Sequence, residues 1–141
     1  MKILLVEPHK APTTVGGEDV FRFEPLALEY LAAGVGRDHQ VRIIDLRLDR
    51  GLPRVLAEFQ PQIVGITAYT AHVTPARALL AQVKRDYPKT LTVVGGHHAT
   101  VARDDFHAPF IDLVVVGEGV VPFREIAARA ARGEPFAGIP G

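Results

Sequence analysis

Five short, near-continuous apolar runs, rich in β-branched residues, constrain the fold most: Ile3 to Val6, Val41 to Ile44, Ile63 to Ile66, Leu91 to Val94 and Leu113 to Val116. Each is too short for a helix, and together they read as five strands buried on both faces rather than strands with one wet side. Between them apolar residues recur at helical spacing: Ala27, Tyr30, Leu31 and Gly34; Leu52, Val55, Leu56 and Phe59; Ala76, Leu79, Leu80 and Val83; then Phe123, Ile126, Ala127 and Ala130. The fourth connection is weaker. His98 to Phe106 predicts one or two turns, and His107-Ala108-Pro109 breaks them. Strands alternating with helices, joined by right-handed crossovers, predict an α/β doubly wound three-layer sandwich around a five-stranded parallel sheet. The commonest small solution has strand order 2-1-3-4-5, the flavodoxin-like arrangement, with its switch point between the first and third strands and ligands expected at the carboxyl ends of the strands there.

One domain accounts for the length: 141 residues bury a core without disulfides or structural metal. Sixteen basic residues balance sixteen acidic ones, so no net field steers the chain toward nucleic acid or anionic lipid. No apolar run approaches the ~18 residues of a membrane span, and Met1-Lys2 leads straight into the first strand, so the expected location is cytoplasmic. The absence of cysteine removes thiolate nucleophiles, zinc ribbons and iron–sulfur ligation from this chain. Residues 133–141 hold five Gly and Pro in nine positions, which predicts a domain over 1–132 followed by a linker. The longest irregular stretch is the first loop, Glu7 to Val20, at the ligand edge.

Three further loops converge on that edge: Thr67-Ala68-Tyr69-Thr70-Ala71-His72, Gly95-Gly96-His97-His98-Ala99-Thr100 and Gly117-Glu118-Gly119. Two glycines leaving a strand remove side chains where the backbone would otherwise obstruct a bulky ligand, although a tight turn onto a helix would use them too. Thr74 suits the N-cap of a helix with Pro75 in its first turn, which leaves Thr67 and Thr70 free for a ligand. His97-His98 lacks a neighbouring carboxylate or thiolate in sequence, and adjacent side chains diverge, so a metal site there is disfavoured. Glu118 reads either as a solvated loop acid or as a ligand contact.

Asp45, ending the second strand, could grip a ribose hydroxyl, but no Gly-x-Gly-x-x-Gly follows Val6. A phosphate-cradling P-loop is absent as well. A phosphorylated receiver domain would need an acid pair, an Asp and a Lys where this chain has Glu7, Thr67 and Gly117.

The runs Pro61-Gln62-Ile63-Val64-Gly65-Ile66-Thr67, Val93-Val94-Gly95-Gly96-His97-His98-Ala99-Thr100 and Val114-Val115-Val116-Gly117-Glu118-Gly119, followed by Phe123 and Glu125, resemble the amino-terminal cobalamin (vitamin B12)-binding domain of cobalamin-dependent radical S-adenosylmethionine (SAM) proteins. That group includes methyltransferases and enzymes similar to the anaerobic magnesium-protoporphyrin monomethyl ester cyclase. The resemblance spans practically the whole chain. It implies base-off cobalamin across the carboxyl ends of the strands, with the nucleotide tail inserted at the sheet edge. It assigns Thr67, Tyr69, Thr70, Ala71 and His72 to the tail and the lower corrin face. Gly95, Gly96, His97, His98, Ala99 and Thr100 fall to the tail, and Gly117, Glu118 and Gly119 to its phosphate-ribose or base end.

Related cobalamin domains place Asp-x-His-x-x-Gly after the first strand. Here Glu7-Pro8-His9-Lys10-Ala11-Pro12 keeps the acid and the histidine and replaces the glycine, which makes His9 a candidate axial cobalt ligand, with His72 and Tyr69 as lesser candidates and the absence of any protein ligand as the default that the resemblance implies. The radical half of such enzymes uses a cysteine triplet to hold a [4Fe-4S] cluster that cleaves SAM, and this chain has none. The implied role is a module presenting cobalamin to a radical SAM domain, in cis or in trans, in a parent enzyme carrying the cluster and SAM. The alternatives are a stand-alone corrinoid or tetrapyrrole carrier or sensor, and a flavodoxin-like domain for another nucleotide.

Overall fold

A computed structural model describes residues 1–11 and 24–141. Its strands are β1 (Lys2–Glu7), β2 (Gln40–Asp45), β3 (Ile63–Thr67), β4 (Leu91–Gly95) and β5 (Leu113–Val114), and its helices α1 (Leu26–Gly34), α2 (Leu52–Phe59), α3 (Val73–Asp86), α4 (His97–Val101) and α5 (Val120–Arg132). The sheet is parallel, in order β2-β1-β3-β4-β5, as the alternation predicts. Residues 12–20 of the first loop, Pro12 included, lie outside the described residues.

The sheet splits the core into two layers because each central strand sends side chains both ways. Ile3, Leu5, Ile63, Val93 and Val115 meet Leu28 of α1 and Phe123, Ile126 and Ala127 of α5. Leu4, Val6, Val64, Ile66 and Val94 meet Leu52, Leu56 and Phe59 of α2, Ala76, Leu80 and Val83 of α3, and Ala99 and Phe106 beyond β4. Gly65 thins the sheet in mid-strand: a Cβ there would lie 3.0 Å from Leu5 Cδ2 and 3.3 Å from the Phe123 ring.

Two local features differ from expectation. Thr74 is not the N-cap of α3: a 3-10 turn over Thr70–His72 runs straight into the helix, and the Val73 amide donates to the Thr70 carbonyl. That turn starts the helix at Val73, so Pro75 still sits in its first turn, where its missing amide costs nothing. The β5 ladder ends at Val114, two residues early, although the Val115 amide still donates to the Val94 carbonyl at 2.8 Å.

Asp112 anchors this short edge strand, accepting from Lys84 Nζ at 2.6 Å, the Thr92 amide at 2.8 Å and the Thr92 hydroxyl at 2.9 Å. Partial burial alone would raise its pKa, but the bonds from Lys84 and Thr92 outweigh that and hold the carboxyl below its ordinary 3.8. Beyond α5, Gly133 closes the helix in the left-handed region at φ 68°. Residues 134–141 then turn back: Arg129 donates to the carbonyls of Pro135 and Ala137, and Phe136 and Ile139 pack against the α1/α5 layer. No helix among the described residues is long and apolar enough to cross a membrane.

Candidate functional site

A cleft of about 320 Å³ opens at the carboxyl edge of β3, β4 and β5, on the face covered by α1 and α5. Thr67, Gly95, Gly96, Gly117, Glu118 and Gly119, all expected at the site, line it. Ile66, Val93, Val115, Leu28, Leu31 and Phe123 make its walls apolar, and Gly65 lies in its floor. A slot of this kind takes a flat apolar group and leaves polar atoms at its rim to orient it.

The two adjacent glycines do different work. A Cβ on Gly95 would meet only Val115, at 3.5 Å, so the position opens into the cleft without being forced to be glycine. Gly96 has φ 99°, and a Cβ there would come 2.7 Å from Thr67 Oγ1 and 2.9 Å from the Ala68 amide nitrogen. Gly96 is therefore glycine for the turn itself, which brings the loops after β3 and β4 into contact. The Ala68 amide donates to the Gly95 carbonyl and the His98 amide to the Ala68 carbonyl, each at 2.9 Å, locking that contact.

Thr100 ties the third loop to the second. Its hydroxyl donates to the Gly96 carbonyl and accepts from the Gly117 amide, both at 3.0 Å. Glu118 Oε1 accepts from the Val120 amide at 2.8 Å, so the carboxylate caps the first turn of α5 at the cleft rim.

The remaining candidates lie outside the cleft. Ala99 is fully buried in the α3-side core. His98 is buried with both ring nitrogens engaged: Nδ1 lies 3.1 Å from Thr70 Oγ1 and Nε2 2.7 Å from Asp105 Oδ2. Thr70 is thus not left free, and Asp105 supplies the carboxylate that the sequence neighbourhood of His98 lacks. Tyr69 is exposed and stacks on His97 at 6.4 Å between centroids. His72 is buried beneath Tyr69, with Nδ1 3.8 Å from Glu7 Oε1. Ala71 accepts from the Ala11 amide at 2.9 Å, which joins the loops after β1 and β3. His9, two residues past the end of β1, donates from Nδ1 to the Lys10 carbonyl at 3.0 Å. Among the described residues no three His, Asp or Glu side chains gather as a metal site.

The walls from α1, Ala27, Leu28, Tyr30 and Leu31, were not among the sequence candidates, nor were Val120 and Phe123 of α5. Their apolar spacing signals only a covered helix face. Gly65, an isolated glycine inside an apolar strand, was the available sign of a close approach there.

Fold and cleft define a class: a doubly wound α/β domain with an apolar slot at the carboxyl edge of its sheet, rimmed by polar groups. The B12 binding domain family model matches residues 12–127, and the chain belongs to that family. It is 36% identical, over its whole length, to an uncharacterised methyltransferase of Pyrococcus horikoshii, of which it covers 32%. It is 31% identical to the anaerobic magnesium-protoporphyrin IX monomethyl ester cyclase of Cereibacter sphaeroides, over 84% of this chain and 20% of that one. It is also 29% identical to the cobalamin-dependent radical SAM methyltransferase TokK of Streptomyces tokunonensis, over 58% of this chain and 12% of that enzyme. The chain thus spans about a third or less of these relatives. Among solved structures, a cobalamin-binding protein of Desulfitobacterium hafniense aligns with TM-score 0.60 at 14% identity, over 92% of this chain and 58% of that one. That similarity shows the fold.

Proposed function

We propose that this domain holds cobalamin base-off, with the nucleotide tail in the cleft between the sheet and α1/α5, and presents the upper corrin face to a radical SAM domain in cis or in trans. The cleft at the carboxyl edge carries this reading, because it unites Thr67, Gly95, Gly96 and Gly117 to Gly119 over an apolar floor. The residues fit the group. Val93, Val115 and Phe123 suit the flat base, and Gly95 leaves room for the tail to pass. Glu118 at the rim would repel a phosphate and accept from sugar hydroxyls, so the Gly117–Gly119 turn is assigned to the ribose. Tyr69, Thr70 and Ala71 lie beside the cleft on the same edge and are assigned to the lower corrin face.

His9 is the axial-ligand candidate within this reading. With its Nδ1–H donated to the Lys10 carbonyl, Nε2 keeps its lone pair. In the parent protein the bound cofactor would supply a methyl-carrying or electron-accepting cobalt, next to a domain holding the [4Fe-4S] cluster and SAM. The relatives named as methyltransferases and cyclase support that setting. The part played by this chain is to bind, orient and shield.

The test is to load the purified chain with hydroxocobalamin and, separately, with flavin mononucleotide, then separate free ligand by gel filtration. Retained corrinoid with a base-off visible spectrum is expected. Retention of flavin alone, or a base-on spectrum that persists in His9→Ala, contradicts the proposal. His9→Ala should retain the corrinoid and shift its spectrum; an unchanged spectrum excludes His9 as ligand.

A further inference from the structure

Asp105, His98 and Thr70 form a hydrogen-bonded chain that the cleft does not use. His98 is 7% exposed, its ring set edge-on against Phe106 with centroids 5.8 Å apart. Asp105 is placed from the other side. Arg77 donates to its backbone carbonyl, and its amide donates to the Ala102 carbonyl at 3.1 Å. Thr70, at the far end, is exposed on the ligand edge, in the 3-10 turn that follows β3.

The proton positions follow from chemistry. An ionised carboxylate only accepts, so the 2.7 Å contact requires the proton on His98 Nε2, donated to Asp105. In the uncharged form of the ring Nδ1 is then bare, and at 3.1 Å it takes the single hydroxyl proton of Thr70. Thr70 Oγ1 is left with lone pairs alone toward the ligand edge. A hydroxyl ordinarily adapts by rotating; this one cannot, because its proton is committed to a buried partner that is itself fixed at both nitrogens.

We infer that Asp105 and His98 are positioning residues that set the Thr70 hydroxyl as an obligate hydrogen-bond acceptor, selecting corrinoids that present an amide N–H over those that present a carboxylate there. The inference rests on the cobalamin reading and adds to it a specificity-determining group. The corrin rim of cobalamin carries primary amides, each with two N–H donors. Hydrolysis of one to a carboxylate removes both donors and sets lone pairs and negative charge against Thr70 Oγ1. A site built around a committed acceptor rejects such a ligand more strongly than a rotatable hydroxyl would.

Two measurements test this on the intact chain. The first is a long-range ¹H–¹⁵N correlation spectrum of the histidine rings without ligand. His98 should show the Nε2–H tautomer, and Asp105→Leu should change the tautomer balance while the backbone spectrum stays folded. A wild-type Nδ1–H tautomer, or a ring protonated on both nitrogens, overturns the inference. The second is the affinity of wild type and Thr70→Val for hydroxocobalamin and for its three propionamide monocarboxylates, tested singly. Wild type should bind at least one monocarboxylate about tenfold more weakly than hydroxocobalamin. In Thr70→Val that ratio should fall to about twofold or less, with hydroxocobalamin still bound. Equal affinities in wild type, or discrimination that survives in Thr70→Val, overturn the inference. Failure of wild type to bind hydroxocobalamin at all also overturns it, and is distinguishable as failure of the cobalamin reading because the tautomer spectrum needs no ligand.

Discussion

Gly96 carries two demands that act through different physics. Its φ of 99° disfavours any L side chain, and a Cβ would press on Thr67 Oγ1 and on the Ala68 backbone. Gly96→Ala should therefore destabilise the domain by about 2–4 kcal/mol, measurable by urea unfolding. A loss near zero would mean that the turn relaxes and does not tie the two loops rigidly. At this scale Gly95-Gly96 marks a special turn, but the sequence cannot assign its parts. That Gly96 serves the protein while Gly95 serves the cleft depends on what each Cβ would meet. The His98–Asp105 pair was hidden for a related reason. Asp105 lies seven residues further on, and only the 3-10 turn over Arg103–Phe106 brings it back.

At the scale of elements, strands and helices were legible because burial on both sheet faces forces near-continuous apolar runs, and helices covering one face show their stripe. The ends were less so. Thr74 reads as a cap locally, yet the turn that begins at Thr70 starts α3 one residue before it, at Val73, and no side chain caps the helix. The β5 edge depends on charge more than on pattern. Because Lys84 and Thr92 hold the Asp112 carboxyl below 3.8, the unfolded chain binds more protons there, and stability rises with pH across that window. The contribution is complete above 3.8 and lost as pH falls through the lowered value. Asp112→Asn should lower the thermal midpoint at neutral pH, with the gap to wild type narrowing in acid. A gap independent of pH would assign its effect to packing.

For the whole molecule, the cleft is bounded by two helices far apart in sequence, α1 and α5, over three strands that neighbour one another only after two crossovers. The carboxyl edge could be foreseen from topology. Leu28, Leu31 and Val120 could not, since their apolar character is equally that of a closed core. A ligand that bridges these elements binds the folded chain alone. Hydroxocobalamin at a hundred times its dissociation constant should add about 2.7 kcal/mol of stability. That corresponds to a rise of roughly 8 °C in the melting midpoint of a domain this size. No rise at saturation would mean that the ligand does not join these parts.

The central claim is that the cleft receives the nucleotide tail, and the most direct measurement compares hydroxocobalamin with cobinamide, which lacks the nucleotide. Affinities for both should be determined on wild type and on Gly95→Val, whose branched side chain extends into the slot while its Cβ meets Val115 at an ordinary 3.5 Å. Wild type should favour hydroxocobalamin by a hundredfold or more, about 2.7 kcal/mol, and Gly95→Val should weaken hydroxocobalamin binding at least tenfold while leaving cobinamide unchanged. Equal affinities of wild type for the two corrinoids, or a parallel loss of both in Gly95→Val, would contradict it.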